Sequence, residues 1–279
     1  KGKTTTTCMI RDILEQAGHK AGLIGTIEVQ TGKRSIPSEH TSPESVVIQK
    51  YLREMVEAGC DTVVMEVSSQ GLKLHRVDEI LFDIGVFMNL GEDHIGKYEH
   101  ADFEEYKCCK AQLFRQCRLG IFNMDSPYWK DMLKTAECRK ETFGFQKKAD
   151  YILANPQLIN TKNALGISYS INETPVRLSM PGEFNVYNSA AAFIVCKHLG
   201  VSLKSMQSTL KSVQVRGRVE RVEIHRRHVD FTIMIDYAHN AMSLQSILEM
   251  VHSYNPARIV TIFGCGGNRA KDRRYEMGE

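Results

Sequence analysis

The alternation of helix-period segments with short apolar, β-branched runs limits the fold of this chain more than any other feature of its sequence. Thr4 to Ala17 carries Met9, Ile10, Ile13, Leu14 and Ala17 on one helical stripe, and Gly18 stands where a helix would end. Leu23 to Val29 reads as a strand. Ser42-Pro43-Glu44 puts an N-cap residue ahead of a proline at the first helical position. Val47, Ile48, Tyr51, Leu52, Met55 and Val56 supply the apolar positions of the helix expected to follow. Thr62 to Val67, Ile84 to Leu90 and Gly120 to Asn123 are short apolar runs of the kind buried on both faces of a parallel sheet. A helix is expected from Phe103 to Cys117. The pattern as a whole predicts an α/β protein with a mostly parallel sheet.

Phe143 to Met180 differs, with short alternating pieces and several asparagines, and predicts a small antiparallel patch on the sheet edge. Asn185 to Leu199, closed by Gly200, and Ser202 to Ser212 read as helices. Arg216 to Glu220 is polar and reads as a linker. After it come a strand (Phe231 to Tyr237), a helix (Ser243 to Ser253) and a second strand (Arg258 to Phe263) running into Gly264-Cys265-Gly266-Gly267. This fresh β-α-β unit divides the chain into a domain of residues 1–213 and the start of a Rossmann-like one at 214–279.

Composition narrows the class. With 42% apolar and 25% charged residues, the chain belongs among globular proteins, not disordered ones. Lys and Arg exceed Asp and Glu by only 36 − 33 = 3 and are scattered, so no nucleic-acid stripe is expected. No apolar run approaches the ~20 residues of a membrane span, and no signal peptide is visible. The 8 cysteines form no C-x-x-C pair and mostly lie in apolar runs, which points to a reducing cytoplasm. The first residue is not Met and lies inside a motif, so a fragment is expected.

That motif is Gly2-Lys3-Thr4 leading into a helix, the end of a phosphate-binding loop. Backbone N–H groups and the helix dipole attract phosphate, the lysine neutralises it, and the threonine hydroxyl ligates Mg²⁺. Alone, the tripeptide also fits a basic stretch before an ordinary helix, although four consecutive threonines are not a choice made for helix propensity. Glu66, in Met65-Glu66-Val67-Ser68-Ser69-Gln70, stands at the C-terminal end of a strand, the edge of a parallel sheet where ligands bind. It reads either as a metal ligand or as a solvated glutamate. His94, in Asn89-Leu90-Gly91-Glu92-Asp93-His94, falls at the same edge and reads as a metal ligand or a surface residue. Lys110 lies on the apolar stripe of its helix with Phe103, Tyr106, Leu113, Phe114 and Cys117. It either snorkels to water or is buried with a special partner.

In this order, these segments, with Tyr106 to Lys110, Asn185-Val186-Tyr187-Asn188, Gly217-Arg218, Asp236-Tyr237-Ala238-His239 and Gly264-Cys265-Gly266-Gly267, resemble the Mur ligases over essentially the whole chain. Ser68-Ser69, Arg76-Val77-Asp78 and Asp236 to His239 most resemble the members that add the third amino acid to UDP-N-acetylmuramoyl-L-Ala-D-Glu in peptidoglycan precursor synthesis. Folylpolyglutamate synthases share the phosphate loop but carry a glycine-rich segment after the strand glutamate. Gln70 departs from the pattern, standing where a His is common.

The resemblance implies an ATP-dependent amide ligase working through an acyl phosphate, with two Mg²⁺ sites. Residues 1–213 would be the central ATP-binding domain and 214–279 the start of the C-terminal domain, with the N-terminal domain lying outside the chain. It implies that Gly2, Lys3, Thr4 and Thr5 contact phosphates and that Thr4 and Glu66 hold the first Mg²⁺. His94 and Lys110 would support the second, Lys110 as a carbamate. Lys3, Lys110 and His94 are thus the expected catalytic residues. Asn185, Asn188, Arg218 and Asp236 would contact ATP, and Thr41, Ser42, Ser68, Ser69, Arg76 and His239 the muramoyl-dipeptide. The partners implied are UDP-N-acetylmuramoyl-dipeptide and an amino acid, with no nucleic acid, no membrane and a monomeric state. Another Mur-like ligase (a folylpolyglutamate synthase or an amidotransferase partner) and a non-catalytic nucleotide-binding scaffold are the alternatives.

Overall fold

The computed structural model describes residues 1–91, 95–96, 99–161, 164–222, 230–264 and 275–278. Helix α1 (Lys3–Gln16) is followed by strands β1 (Ala21–Ile24), β2 (Glu28–Gln30) and β3 (Ser35–Pro37), then α2 (Ser45–Glu57), β4 (Thr62–Met65) and α3 (Ser69–Lys73). Next come β5 (Phe82–Phe87), α4 (Phe103–Ala111), β6 (Cys117–Asn123), α5 (Trp129–Lys134) and β7 (Arg139–Gly144). A long antiparallel excursion, β8 (Tyr151–Thr161), β9 (Ala164–Ile171) and β10 (Thr174–Leu178), leads to α6 (Glu183–His198) and α7 (Leu203–Leu210). The chain continues through β11 (Glu220–Val222), β12 (Ile233–Ile235) and α8 (Ala241–Ser253).

The sheets are mixed. One runs β3-β2-β1-β4, the second β10-β9-β8-β7-β6-β5, and β11 pairs with β12. Pairing is parallel from β5 to β8 and between β1 and β4, and antiparallel toward both outer edges, where the expected patch from β8 to β10 sits. β9 and β10 are joined by Asn172 and Glu173 alone, at φ 43° and 66°, the two-residue mirror-image turn that matches strand twist.

Helix α1 is held by its apolar stripe: Met9, Ile13 and Leu14 are fully buried, each burial contributing about 1.5–3 kcal/mol. Its partner α6 is buried nearly all round, and Ala190, Ala191 and Ala192 keep it slim where it lies in the same core. Together these contacts fix the start of α1 at the C-terminal ends of the parallel strands.

Several expectations from the sequence are corrected. Leu23 to Val29 is not one strand but β1 and β2 of an antiparallel pair, because the chain turns at Gly25 against Glu66. The N-cap of α2 is Glu44, not Ser42, and Pro43 stays outside the helix, because Ser42 is engaged elsewhere. On α2, Ile48 and Met55 are buried while Val56 is 67% exposed. The helix at Phe103 ends at Ala111, tightens into a 3₁₀ turn over Gln112–Arg115, and Cys117 already belongs to β6. Glu220 to Val222, at the end of the expected linker, pairs with β12. Arg258 to Phe263 forms no strand among the described residues: it finds no ladder partner, and Ile262 is 95% exposed. No helix among the described residues is long and apolar enough to cross a membrane.

Candidate active site

Gly2 caps α1 in the left-handed region (φ 88°), and a Cβ there would stand 2.2 Å from Asn188 Oδ1. Gly2 therefore lies close against α6, where there is no room for a side chain. Lys3 opens the helix, and Thr4, Thr5, Thr6 and Thr7 are all buried. Thr7 donates back to the carbonyls of Lys3 and Thr4 at 3.1 and 3.0 Å, which satisfies a hydroxyl inside a helix that β-branching otherwise disfavours.

Glu66, just past β4, is 2% exposed, so the reading as a solvated glutamate is excluded. Thr4 Oγ1 donates to its Oε2 at 2.9 Å, Thr26 Oγ1 to the same oxygen at 3.1 Å, and the Thr26 N–H to Oε1 at 2.7 Å. A carboxylate offers about four acceptor sites, so capacity remains for a cation. Gly25 is required here, since a Cβ would lie 2.7 Å from Glu66 Oε1. Arg218 reaches across from the second half of the chain, its Nη2 donating to Thr4 Oγ1 at 3.2 Å while its guanidinium lies 4.8 Å from the Tyr237 ring centroid. Asp236 holds the turn that carries Arg218, accepting from the Val219 and Ala238 N–H groups, each at 2.8 Å. Burial pushes its carboxyl above the usual range despite those hydrogen bonds. Thus Gly2, Thr4, Glu66, Asn188 and Arg218 converge from four separate segments.

Asn185 and Asn188 are both buried on α6. Asn188 donates to Asn185 Oδ1 at 2.9 Å, and Asn185 donates to the Pro181 carbonyl at 2.7 Å. Asn188 also lies against Gly2, and the N-cap of α6 is Gly182.

A second group flanks the glutamate. Ser42 Oγ donates to the Glu66 carbonyl at 3.1 Å and accepts from the Ser68 N–H at 2.9 Å, while Thr41 Oγ1 lies 3.0 Å from Thr26 Oγ1. Ser68 caps α3 by accepting from the Gly71 N–H, and Ser69 Oγ lies 2.9 Å from His100 Nε2. Arg76 donates to the Ser42 carbonyl at 2.8 Å and pairs with Glu44. These contacts make 41–44 and 68–76 one braced flank.

Lys110 is half-buried on α4, its Nζ 5.0 Å from the Tyr106 ring centroid. Its helix packs against α3, where Lys73 Nζ donates to Glu105 and to the Glu99 carbonyl, both at 2.9 Å. His94, with Asp93, lies outside the described residues, as do Cys265, Gly266 and Gly267. His239 is exposed, its Nδ1 3.0 Å from the Tyr237 carbonyl, and the helix that follows is capped by Asn240. Among the described residues no cluster of three His, Cys, Asp or Glu side chains is placed to hold a metal. Thr4 and Glu66 still suit Mg²⁺, which takes one or two protein oxygens and completes its shell with phosphate and water.

Sequence reasoning missed Thr26, Gly25, His100 and Tyr237. A Gly-Thr pair straight after an apolar run was the available signal for the first two. His100 had none, because its partner lies 31 residues away in sequence, and Tyr237 was read only as part of a motif, its partner Arg218 lying 19 residues away.

The family profile described as the Mur ligase middle domain matches residues 1–196, and that of the Mur ligase glutamate ligase domain matches 217–279. A UDP-N-acetylmuramoyl-L-alanyl-D-glutamate–2,6-diaminopimelate ligase of Caldanaerobacter subterraneus subsp. tengcongensis is 40% identical over 284 residues, covering 100% of this chain. One from Clostridium acetobutylicum is 37% identical over 279 residues, again covering 100%. A solved structure of a ligase of the same name superposes with a TM-score of 0.77 at 25% identity, over 100% of this chain and 57% of its own. The L. casei FPGS apo form, at 16% identity and a TM-score of 0.68 over 93% of this chain and 70% of its own, shares the fold. The chain spans 57% of the length of both sequence relatives.

Proposed function

Because the chain belongs to the Mur ligase family, we propose that it forms the ATP-using core of an enzyme that joins a third amino acid, 2,6-diaminopimelate, to UDP-N-acetylmuramoyl-L-Ala-D-Glu. The choice of 2,6-diaminopimelate rests on the names of its relatives. In the proposed reaction the γ-phosphoryl group of ATP passes to the substrate carboxylate with loss of ADP. The amine then attacks the acyl carbon, phosphate leaves, and a proton is released as the amide forms. Residues 1–213 and 214–279 are the proposed domains, and the turn at Val215 to Arg218 is the proposed hinge.

The observation that carries this reading is the buried Thr4–Glu66 hydrogen bond at the start of α1, with Arg218 on the same hydroxyl. Phosphoryl transfer asks the protein for positioning and charge neutralisation more than for covalent chemistry. Bound Mg²⁺ would supply that neutralisation, held by Thr4 and Glu66 at the first site. Gly2 and Thr5 present backbone N–H groups to the phosphates, Lys3 adds a positive charge, and Asn185 and Asn188 fix the loop from behind. Arg218, oriented by Asp236, brings a positive charge to the same point from the second domain.

The flank of Thr41, Ser42, Ser68, Ser69 and Arg76 is the proposed seat of the muramoyl-dipeptide, and His239 is proposed as a further contact to it. His94 and Lys110 are proposed for a second Mg²⁺ site. The Lys110 Nζ lies 5.0 Å from the Tyr106 ring centroid. Reaction of the neutral amine with CO₂ releases one proton and leaves a carbamate anion, so the side chain must leave the ring face to support a cation. A carbamate ¹³C resonance after labelling with bicarbonate, absent in Lys110→Ala, tests that step.

The test of the whole reading is the mass of the product. The complete polypeptide is incubated with ATP, Mg²⁺, UDP-N-acetylmuramoyl-L-Ala-D-Glu and a mixture of amino acids. A diaminopimelate-containing tripeptide is expected. A different amino acid in the product overturns the substrate assignment, and ATP binding without any product overturns the ligase reading.

A further inference from the structure

The outer face of the antiparallel strands carries rows of small and polar side chains. Ser168 and Ser170 of β9 lie on the face opposite the core that takes Ile167, Tyr169 and Ile171. Register sets Ser168 between Gln157 of β8 and Arg177 of β10, and sets Ser170 between Ala154 and Pro175. With strands about 4.8 Å apart, Gln157 and Arg177 stand roughly 10 Å from each other across Ser168. β8 carries a bulge here: Asn155 and Pro156 together oppose Tyr169, and Asn155 sits at φ 53°. A bulge bends its strand and re-aims side chains, and bulges are over-represented beside active sites.

Helix α7 supplies a wall. Gln207 Nε2 donates to the Pro175 carbonyl at 2.7 Å, which fastens α7 to the edge strand, and Lys211 follows one turn later. The result is a groove of ≈ 400 Å³, within the ~300–1,000 Å³ usual for small-molecule sites. No Asp or Glu lines it. Arg177 and Lys211 are exposed, and neither has a hydrogen bond or ion pair among the described residues. Two cations therefore border one groove without a counter-charge. The Ser168 and Ser170 hydroxyls reach the Gln157 and Ala154 carbonyls at 3.4 Å each, long for a hydrogen bond, so they turn to a ligand at little cost.

We propose that this groove binds a sugar phosphate. The phosphate lies on Arg177 and Lys211, since a guanidinium fork matches phosphate oxygens in pairs and an ammonium adds a point charge. The sugar hydroxyls meet Ser168, Ser170, Gln157 and Asn155, whose side chains both donate and accept. The lining selects among anions. A nucleobase needs an aromatic platform, and Tyr169, the one ring among the lining residues, turns its hydroxyl to Ser189 in the core. An apolar acid would cover the serines and amides without giving them partners. A bare inorganic ion would leave most of the ≈ 400 Å³ empty. None of the lining residues belongs to the phosphate loop or to the flank around Glu66. The inference stands on strand register and charge and does not rest on the ligase reading.

The test is titration calorimetry of the complete polypeptide with glucose 6-phosphate. Binding is expected, and Arg177→Gln and Lys211→Gln should each weaken it about fivefold or more. Lys204→Gln, on α7 but outside the groove, should bind as the native protein does. All three positions are exposed, so the variants keep the fold, which equal melting temperatures check. No binding by the native protein overturns the proposal. Equal affinity in all four proteins also overturns it, because the ester would then sit elsewhere, such as the phosphate loop. Glucose or inorganic phosphate binding as tightly as the ester overturns the assignment of a sugar phosphate.

Discussion

Replacing Glu66 by glutamine separates the cost of burying a charge from its use. The carboxylate is 2% exposed and has three hydrogen bonds, from Thr4 Oγ1, Thr26 Oγ1 and the Thr26 N–H. A hydrogen bond to a charged group is worth about 1.5–3 kcal/mol and a neutral one about 0.5–1.5, so neutralisation costs about 1 kcal/mol for each bond, or ~3 kcal/mol together. The glutamine amide keeps all three contacts if its oxygen faces the Thr26 N–H, because both threonine hydroxyls can turn and accept. Against that loss, removing a buried charge relieves a desolvation penalty of several kcal/mol. Glu66→Gln is therefore expected to leave the melting temperature without nucleotide unchanged or raised. The effect of MgATP is different. At a concentration about 100 times its dissociation constant it stabilises the native protein by about 2.7 kcal/mol, equivalent to roughly 5–10 °C in a domain of this size. Thermal melts with ATP, with and without Mg²⁺, should show the Mg²⁺-dependent part of that shift in the native protein and none in Glu66→Gln. A variant that keeps the Mg²⁺-dependent shift refutes the metal role. One that loses more than ~4 kcal/mol without nucleotide shows instead that Glu66 is a structural anion.

Gly2→Ala forces an L-residue to φ 88° and presses a Cβ on Asn188 Oδ1, whereas Gly18→Ala meets the same dihedral problem at φ 94° with nothing within 4 Å. The second should cost the backbone term of about 1–2 kcal/mol and the first about 1 kcal/mol more; equal losses in denaturant melts would remove the Gly2–Asn188 contact from the account. Burial pushes the thiols of Cys8, Cys117 and Cys196 up to about 12, so the folded chain retains protons that the unfolded chain gives up from about pH 9. Stability from these groups is complete below pH 9 and falls by about 1.4 kcal/mol per pH unit per thiol as pH rises toward 12; Cys196→Ala should flatten the slope in urea melts by one such step. The Tyr169 hydroxyl, 2.7 Å from Ser189 Oγ, is fully buried, and burial raises its pKa. Tyr169→Phe should cost about 0.5–1.5 kcal/mol in the same melts, since Ser189 keeps the Asn185 carbonyl as an acceptor; a loss above ~3 kcal/mol would refute that estimate.

The elements legible in the sequence are those whose signal is local. Helices α1, α6 and α7 lie where apolar period and glycine stops put them, within a few residues, because helical hydrogen bonds and stripe residues are close in sequence. The antiparallel patch from β8 to β10 was likewise visible in its short alternating segments. Ser42 was misread as a cap because its local pattern is that of a cap, yet its hydroxyl is taken by Glu66 and Ser68, more than 20 residues away. The Leu23 to Val29 run was misread because the turn at Gly25 exists to admit Glu66, which the run itself does not record. Arg258 to Phe263 has the composition of a strand, but a strand also needs a neighbour.

The sequence by itself determined which residue types stand ready for phosphate and magnesium, and their order along the chain. It marked Lys3 by the Gly-Lys-Thr motif, and Thr4, Glu66 and Lys110 because each breaks a local rule: threonines at a helix start, a carboxylate after an apolar run, a lysine on an apolar stripe. Only the tertiary structure decided which of them meet. Thr4 and Glu66 are 62 residues apart and Thr4 and Arg218 are 214 apart, yet they share one hydroxyl. Tertiary structure also assigned Asn188 to the back of Gly2. The physical reason is that residue chemistry and helical period are properties of neighbours along the chain. Hydrogen-bond partners are set by the packing of elements whose order in space does not follow their order in sequence.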